Sequence, residues 1–341
     1  MSAGRLMRAE MAEQPDILAA LASRRVEVID EMRSVLPDRL AGIVLLARGS
    51  SDNAAVYGRY VLEHAARRPV ALAAPSLHTL YGVETDYRGY VVVAVSQSGR
   101  TPEIVSVLEG MRAAGARSIA VTNERDSPLA QAAHATLELG AGDERAVPAT
   151  KTFTAQLAAF AILAEAFGDV PWSPAAWDVL PPAAAEILSD DEPARAATAD
   201  LRDARGLVAV ARGYLYCVAL EAALKVKETT SLLADGYSAA DFRHGPIAVV
   251  DRGLPILAFS VAGPAAGDVA ALAGEVRERG GRVITIGDAA DSDLRLPGDI
   301  PEALAPITAA LRAQQVAAAL ALHLEIDPDA PFGLSKVTRT V

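Results

Sequence analysis

Cysteine is nearly absent from this 341-residue chain: the single thiol, Cys217, cannot close an internal disulfide. It stands inside the apolar run 215–220 and reads as a buried thiol, in keeping with a reducing, cytoplasmic setting. Cationic side chains are scarce too. Lys and Arg number 32 against 43 Asp and Glu, a formal net charge of −11, which excludes the broad basic surface that nucleic acid requires but leaves room for local capture of one small anion. No apolar stretch approaches the roughly 20 residues needed to cross a bilayer, and the first sixteen residues carry Asp and Glu without a long apolar segment, so neither a membrane partner nor an export leader is expected. Histidine is limited to five, with no second His or Cys near His244, so no metal site is expected, and no organic cofactor is implied. Hydrophobic residues, at 51%, are plentiful enough to fill two cores.

Short β-rich runs at 43–47, 70–73, 90–95, 118–122 and 136–139 alternate with amphipathic stretches. The pattern resumes with strands at 207–211, 255–260 and 282–286 and helices at about 214–231 and 301–324. Alternation of this kind predicts an α/β fold with doubly wound parallel sheets, whose ligands bind beyond the carboxyl ends of the strands. A helix at about 152–167 leads to Pro-rich residues 168–185, which read as the connection between two halves.

The run 90–95 ends in Ser96-Gln97-Ser98-Gly99-Arg100-Thr101, followed by Pro102. Unpaired first-turn amides at the positive end of a helix, joined by three hydroxyls, suit a phosphate group. Thr101 ahead of Pro102 is equally the pattern of a plain helix cap, and so is Ser50-Ser51 after Arg48-Gly49. Convergence of the two neighbouring turns on one anion is the expectation that separates the readings.

A second copy of the architecture follows. Ala47-Arg48-Gly49 recurs as Ala211-Arg212-Gly213, and Ser96 to Gly99 as Ser260 to Gly263, both at a spacing of 164; Gly115-Ala116-Arg117-Ser118-Ile119 aligns with Gly280-Gly281-Arg282-Val283-Ile284 at 165. Three matches at nearly one spacing predict tandem domains of one fold. The second turn, Ser260-Val261-Ala262-Gly263-Pro264, lacks the Gln, the second Ser and the Thr, so only the first domain is expected to hold a phosphate.

Glu221, Lys225 and Glu228 follow at spacings of four and three, on one helix face. That face is either a solvated ion-pair ladder or, given the apolar residues around it, a buried group able to carry a proton. Residues 235–246 read as a polar loop bounded by Gly and Pro, and His244 within it as either a structural or an oriented catalytic side chain. The tail from Pro331 is too short and broken to form another element and is expected to fold back over something.

Together these motifs resemble the tandem sugar-isomerase (SIS) domain family, in particular the isomerase half of glutamine:fructose-6-phosphate amidotransferase and the related amino-sugar-phosphate deaminase/isomerases. The likeness runs from residues 7–15 (MRAEMAEQP) through Ser96-Gln97-Ser98-Gly99, residues 150–154 (TKTFT), residues 219–228 and His244-Gly245-Pro246 to residues 334–338 (LSKVT). The resemblance implies that Ser51, Ser96, Gln97, Ser98 and Thr101 hold the 6-phosphate, and that Gly49, Ser50, Val147 and Ala149 meet the sugar. It implies further that Glu228 moves a proton between C1 and C2 with Lys225 as charge partner, that His244 assists ring opening, and that Lys336 reaches the carbonyl end. The implied assembly is a homodimer in which His244 is donated across the interface.

The expected division is a helical segment over 1–28, a phosphate-binding SIS domain over 29–170, a linker with helical structure over 171–196, a second SIS domain over 197–328 and a tail over 329–341 covering the active site. Because no glutaminase segment or cysteine precedes the first domain, the expected reaction is the degradative one: glucosamine-6-phosphate to fructose-6-phosphate and ammonia. Pro148-Ala149 offers no hydroxyl where the synthase has a serine, and Arg48 stands where it has a cysteine. Two alternatives follow from that. One is another phosphosugar enzyme sharing C2 proton abstraction, a fructosamine-6-phosphate deglycase or an N-acetylglucosamine-6-phosphate dehydratase; the other is a phosphosugar-binding regulator without turnover.

Overall fold

A computed structural model describes residues 3–250, 253–331, 333, 334 and 336. Five strands, β1 (Gly42–Leu46), β2 (Val70–Leu72), β3 (Tyr90–Val95), β4 (Arg117–Thr122) and β5 (Ala135–Glu138), form an all-parallel sheet in the order β2-β1-β3-β4-β5. A second all-parallel sheet holds β6 (Gly206–Ala211), β7 (Leu233–Ser238), β8 (Pro255–Ser260), β9 (Arg282–Gly287) and β10 (Leu294–Arg295), in the order β10-β9-β8-β6-β7. Counted from its own first strand, the second sheet repeats the 2-1-3-4-5 order of the first. The internal repeat in the sequence is therefore a repeat of topology. In this order the direction of winding reverses between the first and third strands, which makes the carboxyl ends of β1 and β3, and of β6 and β8, the natural ligand-binding positions.

Continuous apolar runs explain why these strands lie in the middle of their sheets. All five residues of β1 and five of the six in β3 are buried, as a strand covered on both faces requires. Val44, Leu46, Val92 and Ala94 pack against Ile104, Val107, Leu108 and Met111 of the helix Pro102–Ala113, and Leu129 and Ala132 of the short helix Pro128–Ala132 complete that core. The second core repeats the scheme with Val208, Val210, Ile256 and Ala258 against Val269, Leu272 and Val276 of the helix Ala266–Glu278.

The chain folds into two compact units that do not follow the sequence in single runs. The described residues of 17–144 and 152–173 make one, around the first sheet; those of 1–16, 145–151 and 174–336 make the other, around the second.

One expectation is corrected. Residues 235–246 are not a loop: residues 235–238 complete β7, paired along its length with β6, and the helix Ala239–Arg243 follows. The polar Asp-Gly-Tyr-Ser run is tolerated in β7 because it is an edge strand: Asp235 stays exposed, Tyr237 packs against the core and the buried Ser238 accepts from Arg212 at 3.1 Å. Gly236 is required there, since a Cβ would lie 2.7 Å from the backbone of Ala219 and Leu220. In the Pro-rich connection, Pro181 and Pro182 sit inside the helix Ala176–Ser189. In the tail, Phe332, Ser335 and residues 337–341 lie outside the described residues.

Candidate active site

The turn after β3 is braced from behind by its backbone. Ser96 N–H donates to the Val121 carbonyl at 3.1 Å, and the Gln97 carbonyl accepts from Asn123 N–H at 3.0 Å and from the Thr122 hydroxyl at 3.2 Å. The Gly99 carbonyl accepts from Leu129 N–H at 3.0 Å. Gly99 has φ +60°, and a Cβ there would fall 2.2 Å from Ser127 Oγ, so no other residue fits. With the Gln97 and Gly99 carbonyls engaged by the protein, the turn stands at the start of the helix Pro102–Ala113, whose first-turn amides have no acceptor within the helix. Thr101 sits at the cap position of that helix but makes no capping hydrogen bond; its hydroxyl instead lies 3.4 Å from Ser96 Oγ. Ser98 Oγ accepts from Arg100 N–H at 3.3 Å and keeps its own proton to donate.

Strands β1 and β3 are neighbours, with Leu46 opposite Ala94, so the turn after β1 lies beside the turn after β3. Gly49, at φ +61°, is the cap residue of the helix Ser50–Ala66, and neither Ser50 nor Ser51 caps it. Ser51 is buried and accepts from Gln156 Nε2 at 3.0 Å. Arg48 joins the two turns through a bidentate pair with Glu103, at 3.0 and 2.9 Å, in the first turn of the helix after β3. That hydrogen-bonded pair holds the Arg48 guanidinium above its ordinary value. Gln156 and Glu103 are site residues that the motif reading missed. No local motif marks either residue; in the repeat, Arg212, the counterpart of Arg48, likewise meets an acid, Asp268 of the helix Ala266–Glu278, at 3.6 Å.

The second domain fills its equivalent turn with its own carboxylates. Ala262 N–H, at the position of Ser98, donates to both oxygens of Asp288 at 3.0 and 2.9 Å. Glu302 lies against Gly263 and accepts from the Ala265 backbone, and burial raises its carboxyl above the ordinary value. Carboxylates of the protein itself thus accept from the backbone of Ala262 and Ala265 at this turn.

The helix Tyr216–Thr230 carries the titratable group of the second unit. Lys225 Nζ lies 3.3 Å from Glu221 Oε1 and also pairs with Glu228 Oε2. Lys225 and Glu221 side chains are 0% and 2% exposed, whereas Glu228 is 21% exposed. The ladder is therefore buried, with one carboxylate open to a ligand. Burial works to lower the lysine, but two carboxylates outweigh it and hold the ammonium above its usual value. Cys217, one turn earlier, is fully buried and its thiol is pushed well up by desolvation.

Val147 and Ala149, both half-buried, sit on the segment 145–150, which precedes the helix Lys151–Phe167. His244 is exposed and ends the helix Ala239–Arg243, and Lys336 is half-buried in the tail. Among the described residues no cluster of three or more His, Cys, Asp or Glu is arranged to hold a metal ion, and no helix is long and apolar enough to cross a membrane.

Comparison with known proteins bears on the family and the fold. The SIS domain profile matches twice, over residues 41–166 and 200–323. Glutamine–fructose-6-phosphate aminotransferases (isomerizing) from Pyrococcus horikoshii and Thermus thermophilus are 31% and 33% identical over 97% of the chain, which spans only 57% and 58% of their length. A Silicibacter pomeroyi DSS-3 structure, provisionally named a phosphosugar isomerase, is 31% identical with a TM-score of 0.84, and the match covers 95% of this chain and 99% of that one. The Thermotoga maritima glucosamine-6-phosphate deaminase shares the fold at 21% identity and a TM-score of 0.76, over 95% of this chain and 100% of its own. With two profile matches, two sheets of one topology and relatives along nearly its whole length, the chain belongs to the SIS domain family and carries two SIS domains in tandem.

Proposed function

We propose that the protein is a phosphosugar isomerase that acts as an amino-sugar-6-phosphate deaminase, converting glucosamine-6-phosphate to fructose-6-phosphate and ammonia. The observation that carries this reading is the buried Glu221–Lys225–Glu228 group, in which Lys225 is locked between two carboxylates and only Glu228 is open to a substrate. A single accessible carboxylate of fixed orientation is what proton transfer between adjacent carbons needs.

The phosphate is held by Ser51, Ser96, Gln97, Ser98 and Thr101, where hydroxyls and helix amides leave an anion well solvated. Gly49, Ser50, Val147 and Ala149 line the sugar. His244 moves the proton that opens the pyranose ring, giving the free aldehyde at C1. Glu228 then takes the proton from C2, and the electron pair forms a C1–C2 double bond while the C1 oxygen gains a proton. Return of the proton to C1 leaves a C2 imine. Water adds to that imine, the C–N bond breaks, and ammonia leaves with fructose-6-phosphate. Lys336 lies at the carbonyl end, where an ammonium stabilises negative charge developing on the C1 oxygen.

The test is incubation with glucosamine-6-phosphate while ammonia and fructose-6-phosphate are measured together, with N-acetylglucosamine-6-phosphate and fructosamine-6-phosphate run in parallel. Equal release of both products supports the deaminase. Consumption of the N-acetyl sugar with loss of water, or release of an amine from fructosamine-6-phosphate, replaces it by the corresponding enzyme. Binding of all three without turnover leaves a phosphosugar-binding regulator.

A further inference from the structure

The amino-terminal helix Arg5–Ala12 makes polar contacts at both ends, part-buried at its start and buried at Glu10, to two segments far apart in sequence. At its start, Asp329 takes the backbone N–H groups of Leu6 and Met7 on its two oxygens at 2.7 and 2.8 Å, and Asp327 takes that of Gly4 at 2.8 Å. Asp327 and Asp329 follow the helix Ala305–His323 and precede the tail that carries Lys336. Gly4, at φ +68°, packs against Pro328 between them. Two carboxylates at the positive end of a short helix fix it to the root of the tail.

At the other end Glu10, 5% exposed, accepts from the backbone N–H groups of Arg145 and Ala146. Met7 and Met11 pack in the same place against Ala146 and Ala318. The far side of the 145–150 segment is held by the next residues of the amino-terminal run. Gln14 Nε2 donates to Gln314 Oε1 at 2.9 Å, Gln314 Nε2 donates to the Thr150 carbonyl at 3.1 Å, and Glu13 pairs with the buried Lys151 at 2.6 Å. Between these anchors stand Val147 and Ala149.

A loop held only by packing would not need a buried carboxylate, which is costly to desolvate unless its acceptors are used. Glu10 uses them on two consecutive amides, and this fixes the backbone at the entrance to Val147. We propose that the helix Arg5–Ala12 is a strut, in which Glu10 is a positioning residue for the sugar loop and Asp329 seats the strut on residues 327–329, so that the loop and this segment are ordered together. The assignment of a sugar to this loop rests on the function proposed above; the strut itself does not.

The test is amide hydrogen exchange on the full chain without substrate, followed over residues 145–150, with the β3 segment as reference for global opening. Glu10→Ala speeds exchange at Arg145 and Ala146 by about tenfold or more, as loss of charge-assisted hydrogen bonds demands, and leaves β3 unchanged. Glu10→Gln, which keeps one acceptor oxygen and the side-chain shape, gives an intermediate rate and serves where the alanine variant opens globally. The decisive variant is Asp329→Asn, which touches no residue of the loop: faster exchange over 145–150 supports the strut, and wild-type exchange there overturns it. Glucosamine-6-phosphate kinetics form a separate arm. A several-fold rise in KM with kcat nearly unchanged in Glu10→Gln supports positioning of the sugar loop, and an unchanged KM overturns that role. Failure of the wild-type protein to turn over glucosamine-6-phosphate counts against the proposed function alone, because the exchange result stands without it.

Discussion

Asp288 holds the backbone N–H of Ala262 between its two carboxylate oxygens, at 3.0 and 2.9 Å. At the equivalent place in the first domain Asn123 turns its side chain away, accepting from Ala141 N–H at 2.7 Å and donating to the Gly142 carbonyl, and its turn stays open. A carboxylate in place of an amide is thus one difference between the two similar turns, and the proposal of an anion in the first turn alone makes it testable. Asp288→Ala is expected to lose about 1.5–3 kcal/mol, the usual worth of a hydrogen bond to a charged group. Inorganic phosphate should restore part of that loss. Thermal unfolding with and without phosphate checks this: the variant's Tm should rise more with phosphate than that of the wild type.

Thr101 gives a sharper test of the open turn, because a capping threonine and a ligand-binding one fail differently. A true cap costs about 1 kcal/mol when replaced by alanine. Here the hydroxyl makes no capping bond, so Thr101→Ala should change stability by less than about 0.5 kcal/mol. Combined with Ser98→Ala it should raise KM for the phosphosugar by about tenfold or more while kcat changes little, as expected for contacts to a group remote from the reacting carbons. Denaturant titration and steady-state kinetics on one preparation give both numbers.

The lysine between two carboxylates separates stability from chemistry. Glu228→Gln leaves Lys225 paired with Glu221, so the fold should survive while kcat falls by about 10²–10⁴. Lys225→Met strands two carboxylates and should cost about 3–5 kcal/mol at neutral pH. The sign of the pH dependence follows from the direction of the lysine shift. A folded-state value above the ordinary 10.5 means the pairing contributes fully below that pH and is lost as pH rises through the folded value. The stability gap between wild type and Lys225→Met should therefore be constant from pH 7 to about 10 and close above it. Urea unfolding across that range measures the gap.

Most of the strand layout was legible because central parallel strands are buried on both faces and leave unbroken runs such as Tyr90 to Val95. The exceptions were at the second sheet's edges, β7 and the two-residue β10, where neither hydrophobic run nor alternation marks a strand. The strand, turn and helix around Ser96 to Thr101 could be read from the local sequence, since the apolar run, the Gly and the Thr-Pro helix start are contiguous. Glu103, Gln156 and Asp288 could not, because each acts on a residue from 26 to 105 positions away through contacts only the fold creates. The Glu–Lys–Glu spacing was visible, but its burial depends on the helix Ala305–His323, buried nearly throughout, that packs against it.

His244 is the proposed catalytic group that the fold leaves exposed, at the end of the helix Ala239–Arg243. An exposed imidazole is a poor ring-opening catalyst unless something covers it, and a second copy of the chain would do so in the assembly proposed for this family resemblance. Mixing His244→Ala and Glu228→Gln chains discriminates. If each site draws Glu228 from one chain and His244 from its partner, a mixed dimer has one site with both groups intact, and random exchange of equal amounts should recover about a quarter of wild-type activity. If both groups serve the site of a single chain, every site in the mixture carries one defect, and activity should stay at the level of the separate variants. Measuring rates before and after subunit exchange, with each variant alone as reference, distinguishes the two arrangements.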